Sequence, residues 1–235
     1  MKKLLIVITL GLISLSTFAQ KTKAQNLQRF DVKKIHFGFS LGINTAHLGV
    51  HRMPLNFNDS LSSIGVTSQS GFNLGIVSEL HLNKYFGIRF IPTLVFGQRN
   101  MDFNFINPLG KQYKEERIIE STYLDFPILF KYRSERLNNF AAYVIAGGKY
   151  SIDLASNEDV KNEEIPQSIV KLKKHTYAAE VGVGTDFFLP YFKFSIELKM
   201  SYTIGDAMIH DKTELSTPID KILPKMFFIT FLFEG

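Results

Sequence analysis

The sequence predicts an all-β protein, an eight-stranded antiparallel up-and-down transmembrane β-barrel. Three observations carry that reading. First, FKFSIELKMSYTI alternates without a break. Phe192, Phe194, Ile196, Leu198, Met200, Tyr202 and Ile204 share one face of an extended chain, and Lys193, Ser195, Glu197, Lys199, Ser201 and Thr203 share the other. Second, seven more segments alternate in the same way, joined by connections that run long, short, long, short, long, short, long. Third, glycines and charged residues keep to one face, strand after strand. An eight-stranded barrel has an interior just wide enough for side chains to fill. A crowded polar lumen with hydrocarbon outside suits these faces, whereas a soluble barrel holding an apolar ligand would need the reverse.

The chain opens MKKLLIVITLGLISLSTFAQ. Lys2 and Lys3 form a charged start, Leu4 to Leu15 an apolar stretch, and Thr17-Phe18-Ala19 a small-residue cleavage site, so residues 1–19 read as a signal peptide. Residues 20–34, QKTKAQNLQRFDVKK, are polar and read as a loose periplasmic segment, with the barrel domain covering 35–235. No other segment is long and apolar enough to span a bilayer as a helix. With no cysteine there is no lipid-carrying thiol, no disulfide and no thiolate site. The 27 basic and 22 acidic residues give a formal charge of +5, and without Lys2 and Lys3 the excess falls to +3. That excess is small and dispersed, which argues against a nucleic-acid partner.

The strands follow in order. HFGFSLGIN sets Phe37, Phe39, Leu41 and Ile43 against His36, Gly38, Ser40, Gly42 and Asn44. Residues 45–69, rich in Asn, Ser, Pro and Gly, read as a loop. GFNLGIVSELHL has Phe72, Leu74, Ile76, Leu80 and Leu82 outward and Glu79 inward, and Asn83-Lys84-Tyr85 turns into FGIRFIPTLVFG. A second loop is expected over 98–119. TYLDFPILFKY and AAYVIAGGKYSID flank the turn Arg133–Asn139, and a third loop is expected over 154–173. TYAAEVGVGTDFF turns through Leu189-Pro190-Tyr191 into the 192–204 strand. A fourth loop is expected over 205–224, and KMFFITFLF closes the chain. Pro92 and Pro127 fall inside strands, where a missing donor calls for a bulge.

The short turns predict a register. A turn centred on Lys84 sets Glu79 opposite Arg89. A symmetric turn over 188–191 sets Glu180 opposite Lys199, Asp186 opposite Lys193, Val181 opposite Leu198 and Val183 opposite Ile196, pairing charges inside and hydrocarbons outside. Glu79, Arg89, Glu180, Asp186, Lys193, Glu197 and Lys199 therefore read as a structural charge network in the lumen, since buried charges in so narrow a barrel need partners whatever the function. Outward aromatics gather at strand ends. Phe86, Tyr132 and Phe192 lie beside short turns, and Phe96, Tyr150, Tyr177 and Tyr202 beside long loops, as two interfacial girdles would.

Catalytic chemistry finds no footing. His47 and His51 have metal-pair spacing but no helix and no third ligand. GGKYS, Gly147 to Ser151, lacks the upstream glycine of a phosphate loop, where Tyr143 stands instead, and there is no G-x-S-x-G. No catalytic, cofactor-binding or metal residue is expected, and no small-molecule substrate is evident.

The run GFNLGIVSELHLNKYFGIRFIPTLVFGQR, with IESTYLDFPILFKYRSERLNNFAAYVIAGGKYSIDLAS and LPYFKFSIELKMSY, resembles the PorT/SprT outer-membrane proteins of Bacteroidetes. YLDFPILFKY followed by an Ala/Gly-rich strand also resembles the wider porin-like barrel family of that group. The resemblance covers residues 70–204. It implies a non-enzymatic component or assembly factor of type IX protein secretion, associated with gliding motility where that occurs, with other secretion proteins as partners. It carries over no catalytic or ligand residues. The other reading is a generic outer-membrane barrel acting as adhesin or scaffold through its extracellular loops. An outer-membrane enzyme acting on lipid would need a nucleophile and base at one rim, and none is seen.

Overall fold

Backbone polar groups inside a bilayer must be paired within the protein, so a sheet that spans it must close on itself. The computed structural model describes residues 25–52, 61–106, 111–156, 171–210 and 219–235, and the proposed signal peptide lies outside them. The strands are β1 (Ile35–Arg52), β2 (Leu61–His81), β3 (Phe86–Phe90), β4 (Thr93–Ile106), β5 (Gln112–Arg133), β6 (Phe140–Asp153), β7 (His175–Phe188), β8 (Lys193–Ile204) and β9 (Ile219–Glu234). All pairings are antiparallel, and β1 pairs with β2 on one side and β9 on the other, which closes the ring. β3 and β4 lie on one line between β2 and β5, so the segments make eight staves.

The break between β3 and β4 is Ile91–Pro92. It replaces the expected bulge. Phe90 faces Ile128 and Thr93 faces Asp125, so the offset against β5 is the same on both sides of the break. That offset sets Pro127 opposite Ile91: both prolines meet at a single interruption of one ladder, and neither shifts the register. The carbonyl of Pro92 still accepts from the Ile76 amide at 3.0 Å. The register shifts that do occur lie higher, between Ser68 and Phe72 and between Leu61 and Ser63 on β2, and at His51/Arg52 on β1.

Side chains alternate as the sequence requires. On β8, Lys193, Ser195, Glu197, Lys199, Ser201 and Thr203 are buried, while Leu198, Met200, Tyr202 and Ile204 are exposed on the outer face. Phe37, Phe39, Leu41, Ile43, Phe72, Leu74, Ile76, Ile128, Phe130, Val181 and Val183 continue the apolar belt. Two aromatic girdles bound it. Phe86 and Tyr132 stand 5.1 Å apart, and Phe194 and Phe233 5.3 Å apart, beside the short turns. Phe72 and Phe96 at 4.5 Å, and Tyr150 and Tyr177 at 5.3 Å, stand at the other end. Close backbone approach demands glycine at Gly147, where a Cβ would fall 2.1 Å from the Ile128 carbonyl oxygen.

Two sequence expectations are corrected. Residues 45–69 and 98–119 are largely strand rather than loop. β1 continues to Arg52, β2 begins at Leu61, and β4 and β5 pair from Thr93–Asp125 out to Ile106–Gln112. Strands of 18, 21 and 22 residues far exceed the roughly 9–11 that a bilayer needs. At their outer ends the faces exchange roles: Ala46, Leu48, Met101 and Phe103 point inward into apolar clusters while His47, Asn100, Asp102 and Asn104 point outward, so the apolar-outward pattern ends while the ladder persists. Asn100 donates to Glu116 at 2.6 Å and Asn104 to Ser63 at 2.8 Å across these polar ends.

The β7–β8 register is the second correction. Glu180 faces Ser201 and Lys199 faces Gly182, while Asp186 faces Ser195, Lys193 faces Phe188, Val181 faces Met200 and Val183 faces Leu198. The whole hairpin is offset by two residues from the expectation because the turn is Leu189–Phe192, closed by the Leu189 amide on the Phe192 carbonyl at 3.0 Å. Pro190 then sits at the second turn position, which its fixed φ favours. An offset of two keeps every side chain on its face. The first short turn matches its expected register, Glu79 facing Arg89 and Leu80 facing Ile88. Asn83 Oδ1 closes it by accepting from the Tyr85 and Phe86 amides, both at 2.8 Å.

Because the chain contains no cysteine, paired cysteines report this register cleanly. V181C with M200C should oxidise to a disulfide readily, and V181C with L198C far more slowly. The reverse order on non-reducing gels would restore the symmetric turn.

Candidate functional site

Along its axis the lumen is layered, and each layer follows from strand parity. At the end with the short turns, residues 25–34 do not hang loose. They form turns that cover the lumen, with Phe30 buried against Phe188 and Ala141. Phe30 stacks on His36 at 3.7 Å and lies under Lys193 Nζ at 4.8 Å. Arg133 holds this segment by donating to Asp31 at 2.7 Å. Arg136 donates to the Asn26 carbonyl, to Asn139 Oδ1 at 2.9 Å, and covers the Phe188 ring at 3.8 Å. The turn after β5 thus spends its charges inside the protein. Only Lys84 and Glu135 form an open pair there, at 2.6 Å. The hydrogen bond between them lowers the Glu135 carboxyl below its ordinary value and raises the Lys84 ammonium.

The next layer is ionic. Arg89 is fully buried and reaches three carboxylates. It donates to Glu79 through Nε at 3.0 Å and Nη2 at 2.6 Å, and to Glu197 through Nη1 at 2.7 Å, while Glu234 lies 3.4 Å from Nη2. Tyr143 donates to Glu197 at 2.9 Å and offers its ring face to Arg89 and Lys131. Lys131 donates to Asp186 at 2.9 Å and lies 3.3 Å from Glu79, and Lys193 donates to Glu234 at 2.9 Å. Above them Lys149 donates to Asp125 at 2.8 Å and stands 3.4 Å from Glu180. Lys199 lies 2.9 Å from Glu180, an ionic contact angled outside good hydrogen-bond geometry.

The structure therefore brings Glu79, Arg89, Glu197, Asp186 and Lys193 into one cluster, and Glu180 and Lys199 into a second. The pairing of Asp186 with Lys193 is replaced by Asp186 with Lys131 and Lys193 with Glu234. The two-residue offset of the β7–β8 hairpin causes the exchange. Lys131, Asp125, Lys149 and Glu234 complete the clusters, and all carry the inward parity of their strands. For Asp125 and Lys131 the signal lies in LDFPILFKY, where Asp125, Leu129 and Lys131 fall on the face opposite Phe126, Ile128 and Phe130.

Toward the long hairpins apolar residues fill most of the lumen around the buried Arg99, which donates to Ser121 Oγ at 3.2 Å and Tyr123 Oη at 3.1 Å. Ala46, Val95, Tyr123, Met226 and Phe228 form one cluster, and Leu48, Met101, Phe103, Leu172, Met208, Ile219 and Ile222 another. The chain after β8 seals this end. Asp206 Oδ1 accepts from the Met208 and Ile222 amides at 3.0 and 2.9 Å. Burial alone would raise the Asp206 carboxyl, but those two amides and His210 outweigh it and hold it below its ordinary value. His47 and His51 lie on β1, not on a loop. Four residues along a strand separate them by about 13 Å, too far to share one ion.

A family model described as "Outer membrane protein beta-barrel domain" matches residues 18–208. No curated protein matches the chain. Among solved structures it is similar to the outer membrane protein OprG from Pseudomonas aeruginosa, at 15% identity and TM-score 0.41, covering 86% of this chain and 94% of that one. The attachment invasion locus protein Ail of Yersinia pestis, solved with the heparin analogue sucrose octasulfate, is 10% identical at TM-score 0.38, covering 86% and 100%. Neisserial surface protein A is 9% identical at TM-score 0.39, covering 83% and 95%.

The ion pairs are unequal, and stability should show it. Arg89→Met strands Glu197, whose sole cationic partner among the described residues is Arg89, at a cost of about 3–5 kcal/mol. Lys199→Met leaves Glu180 with Lys149 and should cost clearly less. Reversible urea unfolding of the folded barrel in detergent measures both, and equal losses would contradict this assignment.

Proposed function

Because the chain belongs to the outer membrane protein β-barrel domain family, with its barrel in the outer-membrane bilayer, we propose that it is a non-enzymatic, non-conducting component or assembly factor of type IX protein secretion, acting through its rims. The observation that carries the mode of action is the closed lumen. Arg89, Lys131, Lys149 and their carboxylates fill the barrel's cross-section, with Phe30 below and the Leu48–Phe103–Met208 cluster above. A lumen so filled leaves no path for a cargo protein. The secretion role rests on the similarity of residues 70–204 to the PorT/SprT proteins. In this reading the periplasmic rim, formed by residues 25–34 and the short turns, meets the partner proteins.

The alternative, an adhesin or scaffold, draws on the long extracellular hairpins. The β2–β4–β5 sheet runs well past the girdles, and loops and hairpin tips are where binding residues gather on a rigid scaffold.

The two readings part on cargo export. Deleting the gene should block secretion of type IX cargo while other outer-membrane proteins accumulate normally. Replacing RSERLNN, Arg133 to Asn139, by a short Asn-Gly turn should leave the barrel heat-modifiable on gels, expose residues 25–34 to protease and lower export. Normal export from the deletion strain would remove the secretion role and leave the scaffold reading. In planar bilayers the purified barrel should give no conductance steps, and stable single-channel steps would contradict the closed lumen.

A further inference from the structure

The outer face of β1 and β9 changes character abruptly. From the periplasmic side upward, Phe39 faces Phe233, Leu41 faces Phe231, Ile43 faces Ile229 and Thr45 faces Phe227, a continuous hydrocarbon surface. The next outward pairs are His47 with Lys225, Gly49 with Leu223 and His51 with Lys221. His47, His51 and Lys221 are exposed, and Lys225 is half-buried. The inward residues of the same span, Ala46, Leu48, Ile222 and Met226, are locked in the apolar clusters of the lumen. Strand parity therefore fixes the cationic residues on the outside.

Their height on the barrel is also fixed. Lys225 is the cross-strand partner of Tyr202, and its Nζ stands 4.9 Å from the centre of that ring. Tyr202 belongs to the upper aromatic girdle, which marks the level where acyl chains give way to headgroups. Lys225 thus lies at headgroup depth, and Lys221, four residues away on β9, stands about 13 Å further out along the strand. In both pairs a lysine stands directly opposite a histidine, so neither ammonium has a carboxylate across the ladder. Among the described residues neither lysine has a carboxylate partner, and Asp206 on the adjoining loop is already engaged by two amides and His210. His47 uses one ring nitrogen on Ser68 Oγ at 3.0 Å. Gly49, between the two histidines, carries no side chain, so the patch is notched rather than flat.

We infer that this face binds the phosphate groups of a phosphorylated glycolipid of the outer leaflet, the lipid's acyl chains lying on the Thr45–Phe39 and Phe227–Phe233 surface beneath. A cationic patch joined to hydrocarbon directly below it matches a ligand that is anionic at the top and apolar beneath. A soluble anion would use only the upper half. The inference is independent of any secretion role.

The test uses the mature protein folded in neutral detergent, with native mass spectrometry reading the lipid-bound fraction. Two lysines near a membrane surface contribute enough for about a tenfold preference. Diphosphoryl lipid A should therefore bind about tenfold more tightly than its dephosphorylated form, and the preference should shrink as salt is raised. K221Q/K225Q should abolish the preference while its heat-modified gel migration stays that of the wild type. Equal binding of the two lipids by the wild type would overturn the site, whether or not the variant folds. So would an undiminished preference in a folded variant. Phosphatidylglycerol binding as tightly as diphosphoryl lipid A would overturn the assignment to a glycolipid.

Discussion

An isolated charge taken out of water costs several kcal/mol, and a barrel of eight staves offers little water inside. Arg89 shows how this chain meets that constraint. Its guanidinium is fully buried and engages Glu79, Glu197 and Glu234, which come from β2, β8 and β9, while Arg89 itself is on β3. One planar, multiply donating cation therefore ties together strands from opposite sides of the ring, a task that lysine's single ammonium cannot perform in the same geometry. Lys131 and Lys193 then bind the oxygens that Arg89 leaves over. Ring closure and lumen electrostatics are thus two views of one requirement. The ladder closes the backbone, and the ionic layer sets how far across the lumen the walls stand.

The outer surface answers a simpler demand. Lipid tolerates neither unpaired amides nor charge, so hydrocarbon covers the outward positions between the girdles apart from small hydroxyls such as Ser78 and Thr185. The prolines show how little slack this leaves. Pro92 and Pro127 each remove a donor, and the fold places them diagonally beside one another at a single gap between β3 and β4 rather than at two separate defects. The same reasoning explains why the register shifts occur only near the outer ends of β1 and β2. There water can satisfy groups that the ladder leaves unpaired.

What could be read from the sequence followed parity, and what could not followed length and turn chemistry. Glu79 and Arg89 were legible as partners because the tight Asn83–Tyr85 turn admits one symmetric register. Asp186 and Lys193 do not face each other because the second turn is centred one position later than a symmetric turn over 188–191, and Pro190 holds the cue to its placement. In the outer halves of β1 and β4 the alternation reverses, with Leu48, Met101 and Phe103 turned inward and polar residues outward, so the apolar-outward pattern that marks the strands below is absent there. Phe30 was missed because one aromatic residue among QKTKAQNLQRFDVKK gives no periodic signal. Its burial depends on Phe188 and Ala141, residues more than a hundred positions away.

The closed lumen moves the question of function to the two rims, and these are built differently. At the rim with the short turns the chain folds back on itself. Arg133 and Arg136 gather Asp31, Asn26 and Asn139 into a cap whose shape depends on residues 25–34 as much as on the turns. A partner docking there would meet a composite surface, and anything that pulled on the N-terminal segment would act on Phe30, His36 and Lys193, and through Lys193 on Glu234 and Glu79. At the opposite rim the staves simply continue as sheet into water, stiffened by their own ladder. The first rim is suited to transmitting a contact into the ionic layer, the second to presenting a fixed surface above the lipid. A role in protein export would draw chiefly on the first, and a scaffold role on the second. The physical distinction between those readings is therefore whether the cap formed by Phe30 and Arg136 must move for the protein to work.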